Sequence, residues 1–372
     1  MNQNKITSFG NQEKIKLKDV WWKLLLSSKN PYALYASPEW FDTVHKLKPS
    51  SYVLGISETT DGEVKSIIPF EINDREIIFS AGRTTFLKFG FLSALAMGGE
   101  PLGSISAMNY DDIFQKLFEK IPKLDAIFFK CLQVTEPFLN ELKIIGEISR
   151  RYVHFVERDA NKFIFIKFGD SFEEYLSKFK KKERYNLKRQ YQMALKTSNN
   201  NLRLERITDI SQIEFFVKSG KYIFKNSWKS DADESKYIFS DEKTTFYKHL
   251  AAKNLFRSYL LIAENEPWAF VLGFQHQNIF HYSNIAFNNK FAKLSPGTVL
   301  FYKMMEDLFS RDKPDILNFG IGDSQYKRRF GTDSFVSADI FLFKRTTKIL
   351  FISFIFKSLI KLKRISKKIL RR

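Results

Sequence analysis

The chain has 372 residues, 44% hydrophobic and 27% charged, enough to bury the cores of two domains and unlike an intrinsically disordered protein. Cys131 is the single cysteine, which excludes an intramolecular disulfide, and the five histidines form no group at metal-ligand spacing. The net charge is +19, but Lys344 to Arg372 alone holds eleven Lys/Arg and no Asp or Glu, so the basicity belongs chiefly to the tail.

Residues 1–18 are polar and mixed in charge, without the apolar stretch of a secretion signal, which together with the lone cysteine suggests a cytoplasmic setting. A first helix is expected over Val20–Leu26. A second opens at Ser37-Pro38-Glu39-Trp40, with Ser37 as cap and Pro38 in the first turn. Strands at Tyr52–Ser57 and Val64–Phe70 flank an Asp61-Gly62 hairpin, and Ile77-Ile78-Phe79 extends the sheet. Gly82–Gly103 reads as irregular; a helix over Asp111–Lys120, a strand over Ala126–Cys131 and a helix over Glu136–Ile145 follow.

A second block starts at the Phe163–Phe168 strand. Ser171-Phe172-Glu173-Glu174 carries a capping-box pattern and opens a long basic helix running to about Thr197. Next come a strand over Leu202–Ile207, helices near Ile213–Phe224 and Thr244–Asn254, and strands at Arg257–Glu264, Trp268–His276 and Ile279–Phe287, the first two joined by a turn at Asn265-Glu266-Pro267. A helix from Thr298 to Ser310 and strands at Ile316–Phe319 and Val336–Phe343 close the block. The expected division is 1–160, 161–345 and a basic tail over 346–372. Both domains are of α/β (α+β) class, each a mixed, mainly antiparallel sheet flanked by helices.

Two segments carry chemistry. Ser295-Pro296-Gly297-Thr298 starts a helix directly after a strand and a polar loop; unpaired N–H groups there suit a phosphate, and Gly297 admits close approach, although a plain capped helix start reads the same way. Phe319-Gly320-Ile321-Gly322-Asp323 through Tyr326-Lys327-Arg328-Arg329-Phe330 places a lysine between aromatics at a strand end. Lys327 there is either a cation for an acyl-transfer centre or one surface lysine among arginines. Asp323 either orients Lys327 and takes a proton or simply bonds its own turn. On the basic helix, Arg184, Lys188 and Arg189 are candidate grips for an anionic acceptor, with a solvated helix face as the alternative. The tail repeats apolar residues at helical spacing (Ile352, Ile355, Leu359, Leu362, Ile369) among cations, too short to span a bilayer but suited to its surface. Packing on the domain's own apolar surface is the other reading.

These blocks, in this order over residues 165–331, resemble the GNAT superfamily, and in particular BioF-like acetyltransferase domain proteins of the type associated with polysaccharide synthesis; Fem-type aminoacyl transferases are similar more distantly. Ser171-Phe172-Glu173-Glu174-Tyr175-Leu176, Asn186-Leu187-Lys188-Arg189, Glu266-Pro267-Trp268-Ala269-Phe270 and the two segments above carry the match. The resemblance implies two tandem GNAT-like domains with a C-terminal amphipathic helix, and an N-acyltransferase acting on an amine or hydroxyl of a cell-envelope or exopolysaccharide precursor. It assigns Lys327, Asp323 and Tyr326 to catalysis, Ser295, Gly297 and Thr298 to an acetyl-CoA or other acyl-CoA donor, and Arg184, Lys188 and Arg189 to an anionic sugar- or lipid-linked acceptor, with no metal. The tail's own pattern suggests peripheral attachment to the inner face of the cytoplasmic membrane through residues 347–372. The family's phosphate loop is richer in glycine than Gly297 alone, so an aminoacyl-tRNA donor stays open, as does a non-catalytic role in a polysaccharide-synthesis complex. Nucleic-acid binding is otherwise disfavoured, because acids are interspersed and no recognised module is present.

Overall fold

The computed structural model describes residues 2–7, 11–28, 30–81, 84–134, 137–228 and 237–355. They form two compact units: residues 1–161 together with 336–372, and residues 162–335.

In the first unit, β1 (Asn2–Thr7), β2 (Tyr52–Thr59), β3 (Val64–Ala81) and β4 (Thr84–Ala96) build an antiparallel meander. Most of the stretch expected to be irregular is thus β4. Its glycine-dotted sequence hides alternation: Phe89, Phe91 and Leu95 face one cluster, Leu92, Ala94 and Ala96 the other. The short β5 (Leu102–Gly103) adds to β3. β6 (Ala126–Gln133) lies parallel to β4, and the Ala107–Lys120 helix makes the crossover that a parallel pair requires. That helix buries Ile113, Phe114 and Leu117 against Phe70 and Phe129. The Pro38–Leu47 helix starts as its sequence predicts: Ser37 Oγ accepts from the Trp40 N–H at 3.2 Å, and Pro38 occupies the first turn.

β7 (Tyr152–Lys167) extends well ahead of the strand expected at Phe163, and the boundary between the units falls inside it. The second unit repeats the pattern of the first. β8 (Leu202–Ile207), β9 (Ser258–Ala263), β10 (Glu266–His276) and β11 (Ile279–Phe287) are an antiparallel meander. The turn between β9 and β10 sits at Glu264-Asn265, both at positive φ (49° and 71°), and Glu266 already belongs to β10. β12 (Ile316–Ile321) runs parallel to β11 after the Pro296–Ser310 helix, and its other edge pairs antiparallel with β7 from Phe163 to Lys167. Leu300, Met304 and Leu308 of that helix pack on Ile166, Tyr259 and Leu317.

Two expectations need correction here. β13 (Asp333–Lys344) starts in the second unit but pairs with β6 from Ser337 to Phe343, burying Ile340 and Leu342 in the first unit's core. It is therefore not simply the last strand of the C-terminal domain. The long basic helix is also two helices, Phe172–Ser177 and Lys181–Thr197. Ser171 caps the first as expected, but Arg184 Nη1 closes its end by donating to the Phe179 carbonyl at 2.9 Å.

Residues 347–355 are helical, and Ile349 and Ile352 pack on the first unit's Phe89 and Phe343 cluster. The expected amphipathic stripe beyond residue 355, with Leu359, Leu362 and Ile369, lies outside the described residues. Both units are mixed, mainly antiparallel sheets flanked by helices.

Candidate active site

β11 and β12 pair over only three positions, Ile279–Ile316, Phe280–Leu317 and His281–Asn318. Beyond them β11 follows β10 to Phe287, while β12 turns along β7 to reach Phe163. The parting has a local cause. Asn318 Oδ1 accepts the Gly320 N–H at 2.6 Å and Gly320 takes φ 69°, making a bulge between Asn318 and Ile321 in the pairing with β7. Just past the last pair, Tyr282 and Phe319 meet at 5.3 Å between ring centroids; Tyr326 stacks on Tyr282, Phe301 on Phe319, and Phe330 packs against Phe301 and Tyr326. The diverging strands therefore open above an aromatic floor.

The Pro296–Ser310 helix starts from this region. Ser295 is left-handed (φ 53°), and its carbonyl accepts from Thr298 and Val299 at 2.9 and 3.1 Å. Its hydroxyl does not cap the helix but accepts from Gln190 Nε2 at 3.3 Å, so the Lys181–Thr197 helix lies alongside the helix start. Proline has no N–H, and the Gly297 N–H donates to no group among the described residues. This end thus keeps the partial positive charge and open donor that bind an anion. Gly297 is buried, and a Cβ there would touch only the Phe287 and Ile285 side chains, at 3.4 and 3.8 Å, so no backbone crowds it.

Lys327 sits on the Gln325–Phe330 helix, which Ser324 caps by accepting the Lys327 N–H. Its Nζ donates to the carbonyls of Ile321 (2.5 Å) and Gly320 (3.4 Å), at the turn that ends β12. Burial holds this ammonium below the ordinary lysine range. Tyr326 OH lies 3.0 Å from Tyr282 OH, and burial drives its pKa well above the usual phenol value, followed by the neighbouring Tyr282. Tyr326 is thus a neutral donor and part of the floor, unsuited to act as a base. Asp323 is exposed and accepts from Arg328 Nη1 at 2.9 Å, so its carboxylate orients Arg328 and not Lys327.

The three basic candidates separate. Arg184 is engaged as the cap described above. Lys188 and Arg189 are exposed, without a partner among the described residues, and remain available to an anionic ligand.

Two residues with structural weight escape sequence reading. Lys178 Nζ donates to the carbonyls of Phe330 (2.5 Å) and Gly331 (2.7 Å), tying down the end of the helix that carries Lys327. Burial pushes this ammonium down to about 8, against Glu183 and Asp333, which hold it up. Arg257, only 2% exposed, donates to the Arg311 and Asp312 carbonyls at 2.9 and 3.2 Å and stands 3.6 Å from Asp307, closing the far end of the Pro296–Ser310 helix. Its place at a strand start gave no hint of this. Among the described residues, no group of three or more His, Cys, Asp or Glu is able to hold a metal ion.

Comparison with known families decides the class of this unit. Residues 181–328 match the family model described as acetyltransferase (GNAT) domain. This part of the chain is a GNAT-type domain. Its limits run from the Lys181–Thr197 helix to Arg328, beside Lys327, and so enclose the diverging strands and the helix start. Among solved structures, FemX is similar with a TM-score of 0.59 at 14% identity, covering 93% of this chain and 98% of FemX. A conserved protein of unknown function from Bacteroides thetaiotaomicron VPI-5482 gives 0.56 and 11%, covering 92% of this chain and 100% of that one. A tandem GNAT protein from the clavulanic acid biosynthesis pathway gives 0.51 and 8%, covering 93% and 100%. At such identities the likeness is one of fold: two tandem GNAT-like units. No curated protein matches the sequence.

Proposed function

We propose that the second unit is an N-acyltransferase whose donor is an acyl-CoA, acetyl-CoA in the simplest case, and whose acceptor is an amine or hydroxyl on an anionic cell-envelope or polysaccharide precursor. The observation that supports this is the three-position pairing of β11 and β12, with the Pro296–Ser310 helix start near Ile285 and Phe287 at the end of β11 and Lys327 on the turn that ends β12. The Gly297 N–H and the helix's positive end hold the donor's phosphates. The acceptor's lone pair attacks the thioester carbonyl, the new C–N or C–O bond forms as the C–S bond breaks, and the thiolate leaves with the acceptor's proton. Lys327, lodged on the Gly320 and Ile321 carbonyls, pivots toward the developing oxyanion. Exposed Lys188 and Arg189 attract the anionic acceptor.

One feature favours a second donor: Gly297 is the single glycine of the helix start, and an aminoacyl-tRNA needs no tight pyrophosphate cradle there. Calorimetric titration separates the two. Saturable binding of acetyl-CoA supports the proposal; binding of aminoacyl-tRNA with none of acetyl-CoA overturns it in favour of the second donor, and binding of neither supports a non-catalytic role.

A further inference from the structure

The helix over residues 347–355 has two apolar faces. Ile349, 4% exposed, and Ile352 point into the first unit's cluster, against Ile77, Phe89 and Phe343. At 3.6 residues per turn, Leu350, Phe351 and Phe354 fall on the opposite side, and they are 42%, 65% and 70% exposed. A single exposed leucine is ordinary; three large apolar residues within five positions on one helix face are an unpartnered patch.

The sequence C-terminal to this helix identifies the partner. Residues 356–372 contain eight Lys/Arg and no Asp or Glu, mixed with Phe356, Leu359, Ile360, Leu362, Ile365, Ile369 and Leu370. A surface both apolar and strongly cationic is complementary to an anionic bilayer, whose headgroups take the charges and whose acyl boundary takes the rings. A second copy of the chain would bring two such cationic tails together and be repelled. Among the described residues no helix is long and apolar enough to cross a membrane, which needs about 20 apolar residues.

We propose that the 347–355 helix is an interfacial membrane anchor: Leu350, Phe351 and Phe354 enter the headgroup–acyl boundary of an anionic bilayer, and the cations of residues 357–372 bind lipid phosphates. Its inner face keeps the helix on the first unit, so that unit is held at the membrane surface instead of trailing from a tether. Ile352, expected on the membrane side from spacing alone, belongs to the inner face. The inference rests on the tail and the first unit, and stands apart from the acyl-transfer reading.

The test is co-sedimentation of the full chain with vesicles of phosphatidylcholine alone and of phosphatidylcholine mixed with phosphatidylglycerol. Wild type should sediment with the mixed vesicles, less at high salt, and scarcely with the neutral ones. Phe351→Ser with Phe354→Ser alters exposed positions only and should keep the circular dichroism of wild type. It should weaken binding about tenfold or more for each ring removed. Equal binding by the double variant overturns the proposal, because charge alone then suffices. Equal binding to both vesicle types overturns it too. Absence of vesicle binding, with an oligomer that the double variant abolishes, assigns the face to a second copy and also overturns it.

Discussion

Each unit contains the same segment of chain: an antiparallel strand, a helix and a parallel return strand. In the first unit these are β4, Ala107–Lys120 and β6; in the second, β11, Pro296–Ser310 and β12. The turns from strand to helix differ. In the first unit the turn is stitched to its own sheet. β5 pairs with β3, the Met97 N–H donates to the Pro69 carbonyl at 2.8 Å, and a Cβ on Gly103 (φ 79°) would meet the Lys65 carbonyl oxygen at 2.2 Å. In the second unit a Cβ on Gly297 meets only side chains at ordinary contact distance. One crossover is hemmed in by backbone and the other only by side chains. The difference teaches that the glycines of the two crossovers are held differently: backbone contacts leave no room for a side chain at Gly103, whereas Gly297 has room for one.

That contrast can be broken in several ways. The largest effect should come from Arg257, which ties down only the second unit's crossover helix. Arg257→Met leaves the Arg311 and Asp312 carbonyls without their donor, while Asp307 keeps Arg311 and Tyr259, for a loss of about 2–4 kcal/mol in chemical denaturation; an unchanged midpoint would deny that this helix is anchored there. Lys327→Ala should lower kcat about 10²–10³-fold, the range for removing one oxyanion donor, and full turnover would take Lys327 out of the chemistry.

Gly103→Ala, forced against the Lys65 carbonyl at a positive φ, should cost about 2 kcal/mol or more. Acid should act mainly on the second unit. Burial drives His276 down to about 4 and His281 to about 3, and they are the two fully buried histidines among the described residues. The unfolded chain binds these protons more readily, so their contribution is complete above about pH 6.5. It falls by about 1.4 kcal/mol per pH unit for each histidine as the pH drops toward those values. Denaturation midpoints that stay flat from pH 7 to pH 4 would contradict this. The smallest effect on stability is expected for Gly297→Ala, between no change and a gain of about 1 kcal/mol, because the new methyl fits and alanine favours a helix.

Much of this was legible in the chain. The apolar runs of β2, β10 and β11, the Ser37 and Ser171 caps and the small-residue helix start at Ser295 are local signals, and local signals survive folding. Three features were not. β4 hides its period behind glycine and polar residues. β13 changes unit, and only long-range pairing with β6 shows it. The basic helix breaks because Lys178 and Arg184 find backbone carbonyls, the first of them far along the chain. Sequence placed Lys327 beside a strand end and Gly297 at a helix start, where the structure has them. It did not show that Asp323 turns to Arg328, that Arg184 is spent on a cap, or that Arg257 is buried.

The central claim is that the open crossover of the second unit receives the acyl donor. Calorimetric titration of acetyl-CoA into wild type and into Gly297→Ala tests it most directly. The account predicts one saturable site in wild type and affinity weakened about tenfold in a variant that is fully folded, because the methyl obstructs the open N–H without disturbing the core. Binding by Gly297→Ala as tight as wild type would contradict it.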